Sequence, residues 1–178
     1  MPPLTTERLL MAALTPNDAP HMLAVLNDPD FIANVADRGV RTLAQARRYI
    51  EDGPIASYRE HGFGMYAVRL RESGEFLGLC GLVKRPQLAD VDIGYGFLPA
   101  ARGRGLALEA ARAVWTHATG DLGLQRLVAI VSPHNAASIR LLEKLGLRYE
   151  GQVQLGPEDP LLRLYGWRAQ TAEPVQKR

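Results

Sequence analysis

The stretch Val91-Asp92-Ile93-Gly94-Tyr95-Gly96-Phe97-Leu98-Pro99, followed by Arg102-Gly103-Arg104-Gly105-Leu106-Ala107, constrains the fold of this chain more than any other. It reads as a strand, a short turn and a glycine-rich start to a long helix. The first N–H groups of a helix have no partner within it, and they point outward with the positive end of the helix dipole. Glycines at 103 and 105 let the backbone approach an anion such as a diphosphate with no side chain between them. Arg102 and Arg104 add positive charge nearby. Read without this function, the glycines make room for a turn and the arginines are solvated. No Gly-Lys-Ser/Thr ending marks a Walker loop, and the spacing does not fit the dinucleotide fingerprint Gly-x-Gly-x-x-Gly.

The flanking sequence predicts alternating helices and strands. Thr15-Pro16-Asn17-Asp18 starts a helix to about Asn27, with Thr15 as cap and Pro16 in the first turn. Thr42-Leu43-Ala44-Gln45 has the form of a capping box, opening a helix that ends before Gly62 and is broken or kinked at Pro54. Strands are expected at Gly64–Leu70, Phe76–Val83 and Val91–Leu98, with a turn at Ser73-Gly74. The long helix carries its apolar residues, Leu106 to Ala118, in a stripe of helical period. Leu127–Val131 reads as a strand, Ala136–Leu145 as a helix closed by Gly146, and Leu147–Gln154 and Leu161–Arg168 as final strands. That order implies an α+β fold, a mixed sheet with helices packed on it.

A chain of 178 residues suits one domain, 1–178, with a polar tail at Glu173–Arg178 expected to fray. The net charge of +2, with acidic residues mixed through the basic stretches, argues against nucleic acid as a partner. The longest apolar runs, such as Leu9–Leu14, fall far short of the roughly 20 residues a membrane helix needs. Cys80, the one cysteine, permits no internal disulfide and sits in an apolar run that reads as a buried strand. With no leading signal peptide in view, a cytoplasmic location is expected. No metal site is expected.

After Leu127–Val131 comes Ser132-Pro133-His134-Asn135-Ala136-Ala137-Ser138, and then the helix to Gly146. Together the two segments resemble the GCN5-related N-acetyltransferases (GNAT), and more narrowly the branch that includes RimJ and RimL. Arg102, Gly105 and Ala107 match the signature Arg/Gln-x-x-Gly-x-Gly/Ala. Asn135, Ser138 and Gly146 match the second motif. Thr6-Glu7-Arg8-Leu9-Leu10, Asp28-Pro29-Asp30 and Asp92-Ile93-Gly94-Tyr95 add weaker similarity to the same branch, so the resemblance covers nearly the whole chain.

The resemblance implies a mostly antiparallel sheet with a splayed central strand pair forming an acyl-CoA cleft, and acetyl-CoA as co-substrate. The amides of Arg102, Gly103, Arg104, Gly105, Leu106 and Ala107 would hold the pyrophosphate. Free backbone groups of about Phe97 and Leu98 would pair with the pantetheine arm, as an open strand edge can with any amide-bearing chain. Asn135 would contact the arm from the far side of the cleft, and a backbone N–H near Phe97 would receive the oxyanion.

Acetyl transfer to an amine needs a base for the ammonium and a proton donor for the departing thiolate. Many family members supply the donor as a tyrosine seven residues after the asparagine, where this chain has Leu142. In the RimJ/RimL-like branch a serine at the position of Ser138 takes over; otherwise Ser138 is a helix hydroxyl near the cofactor. Asp92 is the expected base, its alternative being a solvated strand carboxylate beside Asp90. His61, His134, Tyr49, Tyr58 and Tyr66 are read as structural. The acceptor, a small-molecule amine or a protein N-terminus, would lie in a groove near Asp28–Arg41 and Gln154–Leu161. A monomer or a homodimer fits, and a non-catalytic acyl-CoA-binding sensor on the same fold is the competing reading.

Overall fold

The computed structural model describes residues 1–170, so the polar tail expected at Glu173–Arg178 lies outside the described residues. The chain opens with two strands, β1 (Leu4–Thr5) and β2 (Leu9–Ala13), that the sequence pattern does not announce. They are too short to establish a period, and β2 shows in the sequence only as an apolar run. A single 3-10 turn at Pro16–Asp18 leads into α1 (Ala19–Leu26). There the Thr15 N–H donates to the Asp18 carboxylate at 2.8 Å. A further helix not anticipated, α2 (Pro29–Asn34), comes directly after α1. It is capped by Asp28, whose carboxylate accepts the Phe31 N–H at 3.1 Å.

The Thr42–Gln45 capping box closes in both directions at the start of α3 (Leu43–Ile50). Pro54 breaks the regular helix beyond Ile50. It sits in a π-turn, Glu51–Ile55, between α3 and α4 (Ala56–His61), and Gly62 ends α4 in the left-handed conformation at φ 76°. Next come β3 (Met65–Leu70), β4 (Phe76–Val83) and β5 (Asp92–Phe97). After α5 (Leu106–Thr116) the chain forms β6 (Arg126–Val131), α6 (Ala136–Leu145), β7 (Arg148–Val153) and β8 (Leu162–Arg168).

The strands make one eight-stranded sheet in the order β1-β2-β3-β4-β5-β6-β8-β7. Every neighbouring pair is antiparallel except β5 with β6. The last strand inserts between β6 and β7, which no local pattern could reveal. The central position of β4 explains its unbroken apolar run, because both of its faces are covered. On one face Met22, Val25, Leu26, Ala46 and Ile50 of α1 and α3 pack on Ala67, Phe76 and Leu79. On the other, Leu106, Ala110, Ala111 and Val114 of α5 pack on Leu77, Cys80, Leu82 and Ile93, so Cys80 is a core residue as expected.

The antiparallel strands approach closely where glycine removes the side chain. A Cβ on Gly81 would stand 2.3 Å from the Gly64 carbonyl oxygen and 2.6 Å from the Met65 Cα, both backbone atoms that cannot rotate away. Gly81→Ala should therefore destabilise the protein by about 1–3 kcal/mol, as overpacking does. Denaturant unfolding checks this; an unchanged midpoint would mean that β3 and β4 separate at little cost.

Candidate active site

The parallel pair β5 and β6 separates almost as soon as it forms. Among the described residues it has one registered pairing, Asp92 with Val128, and the Val128 N–H donates to the Val91 carbonyl at 3.0 Å. Alternation then directs the N–H and C=O groups of residues 93, 95 and 97 toward β6, and those of 94 and 96 toward β4. By residue 97 no β6 partner remains, so the Tyr95 backbone groups and the Phe97 N–H face a gap, as does the Phe97 carbonyl, which accepts from Arg102.

The backbone groups of Leu98, expected beside Phe97 on this edge, are placed otherwise. Its N–H donates to the Leu77 carbonyl at 2.9 Å and its own C=O accepts the Ala101 N–H at 2.9 Å. Both of its backbone groups are engaged within the protein. Tyr95 takes its place beside Phe97 on the open edge.

Beyond the strand, Gly103 and Gly105 both adopt left-handed backbone, at φ 71° and 74°. Neither is crowded, so the conformation and not a lack of space demands glycine there. Gly105 caps α5 without a side-chain acceptor, and the first helical bond runs from the Glu109 N–H, which donates to the Gly105 carbonyl at 3.1 Å. The N–H groups at the start of this helix are therefore left for a ligand. Arg8 braces the turn from below, donating to the Arg104 carbonyl at 2.9 Å and to Glu109 at 2.6 Å. Burial works against the charge of Glu109, but bonds from Thr6 and Arg8 hold its carboxyl below its ordinary value.

The two arginines of the turn differ. Arg104 is exposed. Arg102 is fixed: its Nε donates to the Phe97 carbonyl at 3.1 Å, and its two terminal nitrogens bond Asp28 and Asp30.

Across the gap, the Asn135 side-chain oxygen caps α6 by accepting the Ser138 N–H at 3.2 Å, which leaves its amide nitrogen free to face outward. The Ser138 hydroxyl lies 2.5 Å from the Tyr95 hydroxyl, so this pair spans the separated strands. Burial raises the Tyr95 phenol well above its ordinary value, and it holds its proton at neutral pH. Leu142 is fully buried one turn further along α6.

Asp92 is 1% exposed. Its Oδ2 accepts the Arg85 Nε at 2.6 Å, while its Oδ1 is buried with no hydrogen-bond partner. Desolvation raises its pKa, and the charge and hydrogen bond of Arg85 oppose the rise. Asp90 goes elsewhere, to Arg126 at 3.3 Å, so the two acids do not share an environment.

Asp92, Arg85, Tyr95, Ser138 and Asn135 all line one cavity of about 470 Å³ that passes through the gap. Its outer wall comes from Phe31, Asn34 and Val35 at α2, and from Arg38, Tyr49, Glu60, His61 and Leu155. Of the segments expected to form a groove, Phe31, Asn34, Val35, Arg38 and Leu155 line this cavity, together with residues of α3 and α4. Tyr58 and Tyr66 are structural: Tyr58 bridges Leu14 and Met65, and Tyr66 donates to the Pro2 carbonyl at 3.0 Å. His61 stacks on Phe63, and His134 is exposed. Sequence reasoning missed Tyr95 and Arg85 as site residues. Tyr95 lies inside the matched stretch, but nothing local couples it to Ser138, and Arg85 lies across a turn from Asp92. Among the described residues no group of His, Cys, Asp and Glu could hold a metal, and no helix is long and apolar enough to cross a membrane.

The chain as a whole is similar to known proteins. A family model described as an acetyltransferase (GNAT) domain matches residues 8–148. Protein YkkB of Bacillus subtilis is 30% identical over 156 residues, spanning 85% of this chain and 88% of YkkB. The N-acetyltransferase YoaA of the same organism is 29% identical over 86% of both chains. Among solved structures, an acetyltransferase from Agrobacterium tumefaciens superposes with a TM-score of 0.79 at 29% identity, over 94% of this chain and 95% of its own. RimL, a ribosomal L7/L12 alpha-N-protein acetyltransferase solved with coenzyme A, has the same fold at a TM-score of 0.80 and 17% identity, over 94% and 98%. With that domain matched over most of the chain and a relative at 30% identity along nearly its full length, the protein is a member of the GNAT family of acetyltransferases.

Proposed function

We propose that this protein transfers an acetyl group from acetyl-CoA to a primary amine, either a protein N-terminus or a small amine, by direct attack within a ternary complex. The observation that carries this reading is the carboxylate of Asp92: one oxygen is tied to Arg85 and the other is buried, unpartnered and part of the cavity wall. An orphaned buried oxygen of this kind is costly unless a donor fills it in use. An incoming ammonium is such a donor.

The pyrophosphate would rest on the amides of Arg102–Ala107, and the pantetheine arm on the open edge at Tyr95 and Phe97, with Asn135 opposite. Asp92 takes a proton from the ammonium, directly or through a water. The freed nitrogen attacks the thioester carbonyl carbon, and an N–H near Phe97 receives the developing oxyanion. As the carbon–sulfur bond breaks, the Ser138 hydroxyl gives its proton to sulfur and regains one from the attacking nitrogen, which sheds its surplus proton as the amide forms. The Tyr95 hydroxyl is bonded behind Ser138. In this reading acetyl-CoA is the donor and one domain, 1–178, is the catalytic unit.

Two measurements test the roles. With a serine-initiated tripeptide and 2-phenylethylamine as acceptors, Asp92→Asn should lower kcat by about two to four orders of magnitude and flatten the low-pH limb of the rate profile. The same variant should gain stability relative to wild type as pH rises. A carboxyl whose folded pKa is raised contributes its stability below its ordinary value near 3.8, and loses it as pH climbs through the raised value. A stability difference that stays flat with pH, beside an intact rate, would remove Asp92 from the mechanism.

Ser138→Ala should lower kcat with little change in the KM for acetyl-CoA, because the proton it supplies matters only in the transition state. Tyr95→Phe should act in the same direction and more weakly. A pure KM effect in both variants would make the pair a cofactor contact instead.

A further inference from the structure

The position of Arg102 carries a consequence for the other substrate. Its guanidinium connects two pieces of chain that lie far apart in sequence, the end of β5 and the start of α2. Through Nε it holds the carbonyl of Phe97, a group on the open edge of β5. Through its terminal nitrogens it holds Asp28 and Asp30 at the first turn of α2. Asp28 is itself the cap of α2, so one carboxylate both starts the helix and fastens it. From α2, Phe31 reaches over β5: a Cβ on Gly96 would meet the Phe31 ring at 3.3 Å. Phe31 and Asn34 then form part of the cavity wall on the acceptor side.

The two ion pairs differ in worth. Asp30 is 68% exposed, and a pair so open to water contributes little by itself. The Asp28 side chain is only 7% exposed, so its charge depends on the arginine beside it. A forked guanidinium can hold both acids and the carbonyl in one geometry, which a lysine cannot. A carbonyl oxygen has two lone pairs, so Phe97 can accept from Arg102 and still accept from a cofactor amide. Few turns of α2 are available to hold it otherwise, since none of its residues is fully buried.

We infer that Arg102 is a positioning residue for the acceptor: it fastens α2 to the cofactor-binding strand, and so sets the wall of the acceptor cavity that Phe31 and Asn34 provide. This rests on the acetyltransfer reading only in naming the cavity an acceptor site. The fastening itself is independent of it.

The test uses Arg102→Gln, which removes the charge while keeping a side-chain donor, and the pair Asp28→Asn with Asp30→Asn. Asparagine caps a helix as well as aspartate does, so Asp28→Asn spares the start of α2. Hydrogen exchange over residues 28–36 should speed up by about tenfold in both variants, the loss expected for charge-assisted bonds. The KM for the serine-initiated tripeptide should rise by a similar factor of about ten. Acetyl-CoA affinity, measured by calorimetry, should change by less than about twofold in the double aspartate variant, which leaves the glycine-rich turn untouched. If Arg102→Gln weakens acetyl-CoA while α2 exchange and tripeptide KM stay at wild-type values, Arg102 is a phosphate ligand and the inference is overturned. Faster exchange with an unchanged KM would overturn the acceptor half of it. Failure of the acetyltransfer reading looks different: wild-type protein would acetylate neither amine, while exchange over α2 still decides whether Arg102 fastens it.

Discussion

The site depends on a pairing that stops. Parallel strands β5 and β6 join at Asp92 and Val128 and then part, so a central sheet edge lies open inside the protein. An unpaired edge within a sheet would ordinarily be closed by another strand, because each bare N–H and C=O forgoes a hydrogen bond. The chain keeps this one open by anchoring both of its walls. On one side β5 is locked to β4 along its whole length, from Val83–Asp92 to Gly78–Phe97. On the other, β6 is locked to β8 over six residue pairs. Two rigid half-sheets meeting at one point make a wedge that neither half can close alone.

The rest of the machinery lies at defined places on that wedge. At its apex Asp92 is buried, half-satisfied by Arg85. Midway, the Tyr95 and Ser138 hydroxyls bridge the gap from opposite walls. At the mouth, the chain turns at Pro99–Ala101 and enters α5 through two left-handed glycines. Charge around the mouth is balanced locally: Arg102 against Asp28 and Asp30, Arg8 against Glu109. The helix start thus remains positive toward a ligand without presenting a broad basic surface, in keeping with a net charge of only +2.

Much of this was legible in the sequence where the cause is local. The Thr42–Gln45 capping box, the break at Pro54, the left-handed Gly146 and the α5 stripe all arise from residues within one or two turns of each other. So does the glycine-rich turn, because its purpose is written in backbone conformation. What could not be read depends on distant partners. Leu98 looks like an edge residue by position, yet its amide meets Leu77, twenty-one residues away, once β4 and β5 pair. Arg102 looks like a solvated phosphate ligand until α2 brings Asp28 and Asp30 beside it. Tyr95 reads as an ordinary strand aromatic until α6 sets Ser138 against it. The β1 and β2 strands and α2 escaped because each is shorter than the window that a period requires.

The claim that the open edge of β5 receives the cofactor arm is tested most directly by residue-level amide exchange in the presence and absence of coenzyme A. The Gly96 and Leu98 amides face β4, and they should exchange slowly in both states. The Tyr95 and Phe97 amides face the gap; they should exchange fast in the free protein, and the Phe97 amide should become strongly protected when coenzyme A is added. If coenzyme A binds while both of these amides keep their free-state rates, the cofactor does not lie along β5, and the open edge is not its binding site.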